Sequence, residues 1–480
     1  MRQMGYRVID LLLDYWSRLP QQPIGRRPTH AELAPLLTEL LPTTPQPFET
    51  VLQAFQQRVL PNIVNVDHPR YFAFVPAPNN YVGALADALA AGMNIFVGTW
   101  MVGAGATQVE RVVVDWLRQL LGMPETAGGL FVSGGSVANL VALTAARQHH
   151  LGEATDPTQP IENIDHERLA RSVVYFSDQT HSCVVRALRL LGFRKEQMRV
   201  LPADEQFRLP LDALRAQLRA DREAGWQPFC VVANAGTTNT GAVDPLPELV
   251  ALCRQEGLWL HVDGAYGAAM VLTDEGERLL EGIGEVDSLA IDPHKGFYQP
   301  MAAGCVLVRE FEHLRRAFRI LPPYLQDKEC AAAPHGEVDL CDYGVELSRG
   351  FRALKLWMSL KVYGIDAFRG ALTHNLQLAR YAEQRLRERA HWQIISPATL
   401  GIVAFRYAPA DLSEEQVDAL NRALVDAMLT DGFALVSSTV LRGRVALRMC
   451  TLNPRATEAD VDGTIERLDR FAQLYHADLA

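Results

Sequence analysis

The residues best able to do chemistry stand where short apolar runs stop. After LFV come Ser133, Gly134, Gly135 and Ser136, directly before the helix-like VANLVALTAARQHH. Glycines let a backbone approach a ligand, and a helix amino terminus offers free N–H groups to a phosphate. The same residues also read as a plain strand-to-helix turn with a serine cap, since SGGS is neither a Walker loop nor GxGxxG. After VVYFS comes Asp178-Gln179-Thr180-His181. Its imidazole can cap the next helix or lie flat on a planar ligand. After WLHV comes Asp263, in a run apolar enough to be buried; such a carboxylate either meets a cation or is a satisfied structural acid. After SLAI comes Asp292-Pro293-His294-Lys295. A lysine at the mouth of a crevice is a candidate Schiff-base nucleophile, with burial expected to lower its ammonium pKa. Taken alone, such a lysine is more often a solvated surface residue.

The elements that must position these groups are legible as alternation. Strand-like runs (LFVSGG, RSVVYFS, PFCVVANA, WLHVDGA, SLAIDP, CVLVRE) are separated by helical stretches such as LDALRAQLRADREAG and LPELVALCRQEG. Near-continuous apolar strands between amphipathic helices predict a mostly parallel sheet covered on both faces. In open α/β sheets the ligand lies beyond the carboxyl ends of the strands, where all four polar clusters fall. The expected division is a helical segment over 1–78, a large α/β domain over 79–354 and a small α+β domain over 355–480. The amino terminus reads as an amphipathic helix rather than a signal peptide, because Asp10 and Asp14 interrupt its apolar stretch. Residues 310–350 read as irregular, with Pro322, Pro323, Pro334 and Gly336 suiting a loop over the site.

Bulk composition narrows the function classes. The 46 basic and 56 acidic residues give a net charge of −10 without long single-sign runs, so no nucleic-acid surface is expected. No apolar run is long enough to span a membrane. Seven cysteines without CxxC spacing read as reduced thiols of a cytoplasmic protein, and no zinc site is expected.

The combination says more than any one motif. A strand-end Asp, a later strand-end His-Lys and a Gly-rich turn upstream are what pyridoxal phosphate (PLP) chemistry requires. HPRYFAF, SGGSVANLVAL, SDQTHSCVVRAL, NAGTTNTGAVDPL, WLHVDGAYG, DPHK and FRALKLW resemble the signature stretches of the group II PLP-dependent decarboxylases. The aromatic-L-amino-acid decarboxylases are the most similar members. The resemblance implies PLP fold type I (aspartate-aminotransferase-like), used as a homodimer with shared active sites and a small-molecule amino-acid substrate. It implies Lys295 as the Schiff-base lysine, Asp263 as the pyridine-nitrogen partner and His181 as the stacking residue, with Ala265 beneath the ring. Gly135, Ser136, Thr238, Asp292 and His294 fall on positions that hold the phosphate or ring edge. Tyr324 matches the loop tyrosine that donates a proton in true decarboxylases and is Phe in many aldehyde synthases. Phe74, Ala77, Phe96, Trp100 and Ser348 match the substrate pocket. Ser348 corresponds to a position that is Ser in phenol-preferring plant relatives and Gly in indole-preferring ones; it also reads as a residue preceding or capping the helix near Phe351. Gly264, Gly296 and Gly350 depart from the family pattern, and Val75, Ala77 and Gly98 are smaller than usual. An aminotransferase or aldolase of the same fold, an aldehyde synthase, a decarboxylase of a non-aromatic amino acid and an inactive binding protein are the rival readings.

Overall fold

The computed structural model describes residues 1–152, 163–320 and 336–479. It divides into two compact units, one of residues 77–374 and one joining 1–76 with 375–480.

The larger unit is built on seven strands: β1 (Gly128–Val132), β2 (Ser172–Ser177), β3 (Met198–Leu201), β4 (Gln227–Asn234), β5 (Trp259–Asp263), β6 (Ser288–Ile291) and β7 (Gly304–Val308). Their order is β1-β7-β6-β5-β4-β2-β3. Strands β2 to β6 run parallel, while β7 is antiparallel to both β6 and β1. β1 therefore shares the common direction, and six strands end at one edge. β2, β5, β6 and β7 are buried at every residue, which explains their unbroken apolar sequences. The helix Gly135–Leu151 buries most of its length; Ala138, Ala142, Ala145 and Ala146 keep that face thin enough to pack with Val132, Val232 and Val306 in one core.

The smaller unit carries an antiparallel sheet of β8 (Trp392–Thr399), β9 (Ile402–Tyr407), β10 (Ser437–Leu441) and β11 (Arg444–Cys450), in the order β10-β11-β9-β8. Helices Glu414–Asp431 and Glu458–Leu479 share its core through Leu424, Met428, Ile465 and Leu468. The first of these is bounded by a capping box between Ser413 and Gln416 and by Gly432 at φ 76°, a left-handed stop that favours glycine. Helix Arg2–Arg18 forms as expected and buries none of its residues. One expectation needs correction: within 310–350, residues Glu312–Phe318 form a helix anchored by buried Leu314.

Candidate active site

Four of the strand ends converge. Gly135 opens its helix directly after β1, and a Cβ placed on it would lie 2.9 Å from the Ala265 Cβ and 3.0 Å from Asp292 Oδ2. A Cβ on Gly134 would lie 3.2 Å from the His294 ring, and one on Gly304 would collide with the Gly134 backbone. The glycines of this turn thus serve close approach, as a backbone cradle needs.

Asp292 follows β6 and is buried, and Lys295 Nζ lies 2.9 Å from its Oδ2. His294 Nε2 lies 3.5 Å from the same oxygen, and its Nδ1–H donates to the Ala303 carbonyl at 2.7 Å. Burial holds the His294 imidazole below its usual pKa, partly opposed by Asp292. The sequence-based expectation for Lys295 is corrected here. Burial does disfavour its ammonium, but Asp292, then Asp263, more than offset that, and its pKa is raised.

Asp263 ends β5 and is buried. Its Oδ1 accepts from the Ala265 N–H at 3.2 Å, and Oδ2 lies 3.8 Å from the Cys183 thiol. Among the described residues no lysine or arginine forms an ion pair with it. Next along the sheet, Asn234 at the end of β4 donates to Thr180 Oγ1 (3.1 Å) and to Asp244 Oδ2 (2.9 Å). Asn239 donates to Gln179 (3.3 Å), so the loops carrying His181 and Thr238 are tied together. His181 caps helix Ser182–Leu190, its Nδ1 accepting from the Cys183 N–H, and its ring is exposed. Ser136 is exposed and Thr238 half-buried.

A second cluster gathers three of the predicted pocket residues. The Val97 N–H donates to the Arg349 carbonyl (2.9 Å), and Phe96 bridges to Gly350. The Trp100 N–H donates to Asp339 (2.6 Å), and Gly98 lies against the Phe96 ring and the Leu347 carbonyl. Phe96 and Trp100 therefore share one hydrogen-bonded frame with exposed Ser348. Arg349 locks that frame: its guanidinium donates to Glu110 (2.5 Å) and to the carbonyls of Val97 and Phe131. Ala77 is buried in the same unit. Phe74 belongs to the smaller unit, with its ring exposed, its N–H donating to Ser437 and its carbonyl accepting from Arg448. Tyr324 lies outside the described residues.

The donor set fits PLP. A buried carboxylate that forms no ion pair among the described residues (Asp263) suits a protonated ring nitrogen, a lysine amine lies near it, and a glycine turn at a helix start suits a phosphate. The buried Asp292 Oδ1, which has no hydrogen-bond partner, offers a further acceptor beside the lysine.

A family profile described as "Pyridoxal-dependent decarboxylase conserved domain" matches residues 30–408. The chain belongs to this family. It is 45% identical over 474 residues to the aromatic-L-amino-acid decarboxylase of Bacillus atrophaeus, covering 98% of this chain and 95% of that one. It is 31% identical to a phenylacetaldehyde synthase of Arabidopsis thaliana over 95% of this chain and 92% of the relative. The crystal structure of Oryza sativa TDC with PLP and tryptamine superposes with a TM-score of 0.90 at 29% identity, covering 98% of this chain and 97% of that one. The protein is a PLP-dependent amino-acid decarboxylase of fold type I.

Two departures from the family pattern have a packing cause. A Cβ on Gly264 would lie 2.8 Å from the Ala268 Cβ and 3.0 Å from the Ala290 carbonyl, and one on Gly296 would meet Ala269. Gly350 faces open space, and nothing in the structure explains it. Sequence reasoning missed Asn139, His261, Asp244 and the Glu110–Arg349 pair. Their only signal was a polar residue inside an apolar run, as in VANLVAL and WLHVD.

Proposed function

We propose that this decarboxylase acts on an aromatic L-amino acid and releases the corresponding amine and CO2. The substrate class is carried by the 45% identity to an enzyme named for it. The stretch Phe74–Trp100 supports it, since it contains no Lys or Arg to pair an acidic side chain while supplying Phe96 and Trp100. When bound, PLP supplies an electron sink for the charge left on the substrate's Cα. Lys295 holds the cofactor covalently and Asp263 keeps a proton on the ring nitrogen. Gly135, Ser136, Thr238, Asp292 and His294 hold the phosphate and ring edge; His181 covers one face and Ala265 the other. Tyr324 delivers the proton to Cα. The segment 1–78 serves dimerisation in a homodimer with shared active sites, a role suited to the exposed Met4, Tyr6 and Leu13 of its first helix. Among the described residues no helix is long and apolar enough to cross a membrane.

The test is kcat/KM for tyrosine, dopa, phenylalanine, tryptophan and glutamate, with CO2 and amine both measured. An aromatic substrate should lead, phenols slightly ahead of tryptophan, and Ser348→Gly should move the ratio toward tryptophan. Glutamate as the best substrate would overturn the assignment. The similarity to a phenylacetaldehyde synthase favours one rival. Stoichiometric aldehyde, ammonia and peroxide from the wild type would establish it, and Tyr324→Phe should move the enzyme that way.

A further inference from the structure

Behind Asp263 five buried side chains form a continuous polar chain through an otherwise apolar core. Trp259 Nε1 lies 2.8 Å from Ser288 Oγ, which lies 2.8 Å from His261 Nδ1. His261 Nε2 lies 2.6 Å from Asn139 Oδ1. Asn139 Nδ2 lies 2.8 Å from the Gly135 carbonyl and 3.4 Å from Cys183 Sγ, which lies 3.8 Å from Asp263 Oδ2. Asn139, His261 and Ser288 are wholly buried.

The bond directions follow from the Gly135 end. The Gly135 carbonyl can only accept, so the Asn139 amide nitrogen faces it and the amide oxygen faces His261. His261 Nε2 then carries the hydrogen, leaving Nδ1 to accept from the Ser288 hydroxyl. The Trp259 indole can only donate, so Ser288 accepts from it and keeps its own hydrogen for His261 Nδ1. Burial keeps the His261 pKa down at about 4, so the ring stays neutral. Burial, then Asp263, pushes the Cys183 thiol up to about 12, so it stays a donor. Each donor points toward the carboxylate, and hydrogen bonds aligned head to tail polarise one another.

We propose that Asn139 and His261 are positioning residues that act through Cys183 to hold the Asp263 carboxylate aimed at the cofactor's ring nitrogen. This rests on the role given to Asp263 above. A donor fixed beside one carboxylate oxygen limits how the carboxylate can turn, and apolar residues of similar volume would have packed this core at lower cost. The second Asn139 N–H goes to Gly135, so one side chain ties the phosphate turn to the nitrogen partner. The other groups on the carboxylate are the Ala265 N–H and the Lys295 charge.

The test compares the affinity of the apo-protein for PLP and for its 1-deaza analogue, in which carbon replaces the ring nitrogen. The wild type should prefer PLP. In Asn139→Leu that preference should shrink about tenfold. Cys183→Ala should shrink it severalfold and Cys183→Ser should restore it. A purely structural role would weaken both ligands equally. A wild type without the preference would overturn the role of Asp263 and this proposal with it. A preference kept by Asn139→Leu and Cys183→Ala would overturn the proposal alone. If Asn139→Leu does not fold, the Cys183 pair decides, together with nitrogen NMR of labelled histidine in the wild type. His261 should be the neutral Nε2–H tautomer, and finding Nδ1–H would overturn the chain.

Discussion

Asp292 makes Lys295 harder to deprotonate than burial would, because its carboxylate lies 2.9 Å from the ammonium. A lysine must be neutral to attack an aldehyde, and its pKa here lies above the usual value. Reconstitution of the apo-protein with PLP should therefore accelerate about tenfold per pH unit from pH 7 to 9. Asp292→Asn should raise the rate at pH 7 and flatten the profile. Stopped-flow absorbance measures both, and a pH-independent wild-type rate would contradict this reading. The places of Asp263, which ends β5, and of Lys295, in the short helix that follows β6, were legible in the sequence because each adjoins an apolar run. The sign of the lysine's shift was not, since it depends on a side chain one helical turn away whose direction no pattern encodes.

The elements that carry the site are those whose sequences are least ambiguous. β2, β5, β6 and β7 are fully buried and read as apolar runs, whereas β3, β8 and β10 went unread. All three are edge strands, where one side meets solvent; β3 carries Arg199 and β8 carries Pro397, a residue that edge strands tolerate. The frame around Phe96 and Trp100 was equally invisible, because contacts between residues 97 and 349 leave no local trace. Its lock is the Arg349–Glu110 pair, each side chain 1% exposed. Arg349→Met leaves Glu110 buried without its cation, a loss of about 3–5 kcal/mol. Urea unfolding should show a lower midpoint, and KM for the amino acid should rise as the frame loosens. An unchanged midpoint and KM would show that the pair does not hold the frame.

Across the whole molecule, each unit buries an imidazole that must stay neutral: His68 in the smaller and His261 in the larger. Burial, reinforced for His68 by Arg70, lowers both pKa values to about 4, against about 6.5 in the unfolded chain. Below about pH 6.5 the unfolded chain binds protons that the folded one refuses. The stability these residues contribute is therefore present above that pH and lost as pH falls toward 4. Urea midpoints should drop from pH 7.5 to pH 5, and a constant or rising midpoint would contradict the assignment. The site as a whole turns on a single bond, between Lys295 and the cofactor. Borohydride reduction of the PLP-loaded protein, followed by proteolysis and mass spectrometry, locates that bond directly. The predicted result is one phosphopyridoxyl group on the peptide containing Lys295, absent from Lys295→Ala. A reduced adduct on another lysine, or the same adduct yield in Lys295→Ala, would contradict it.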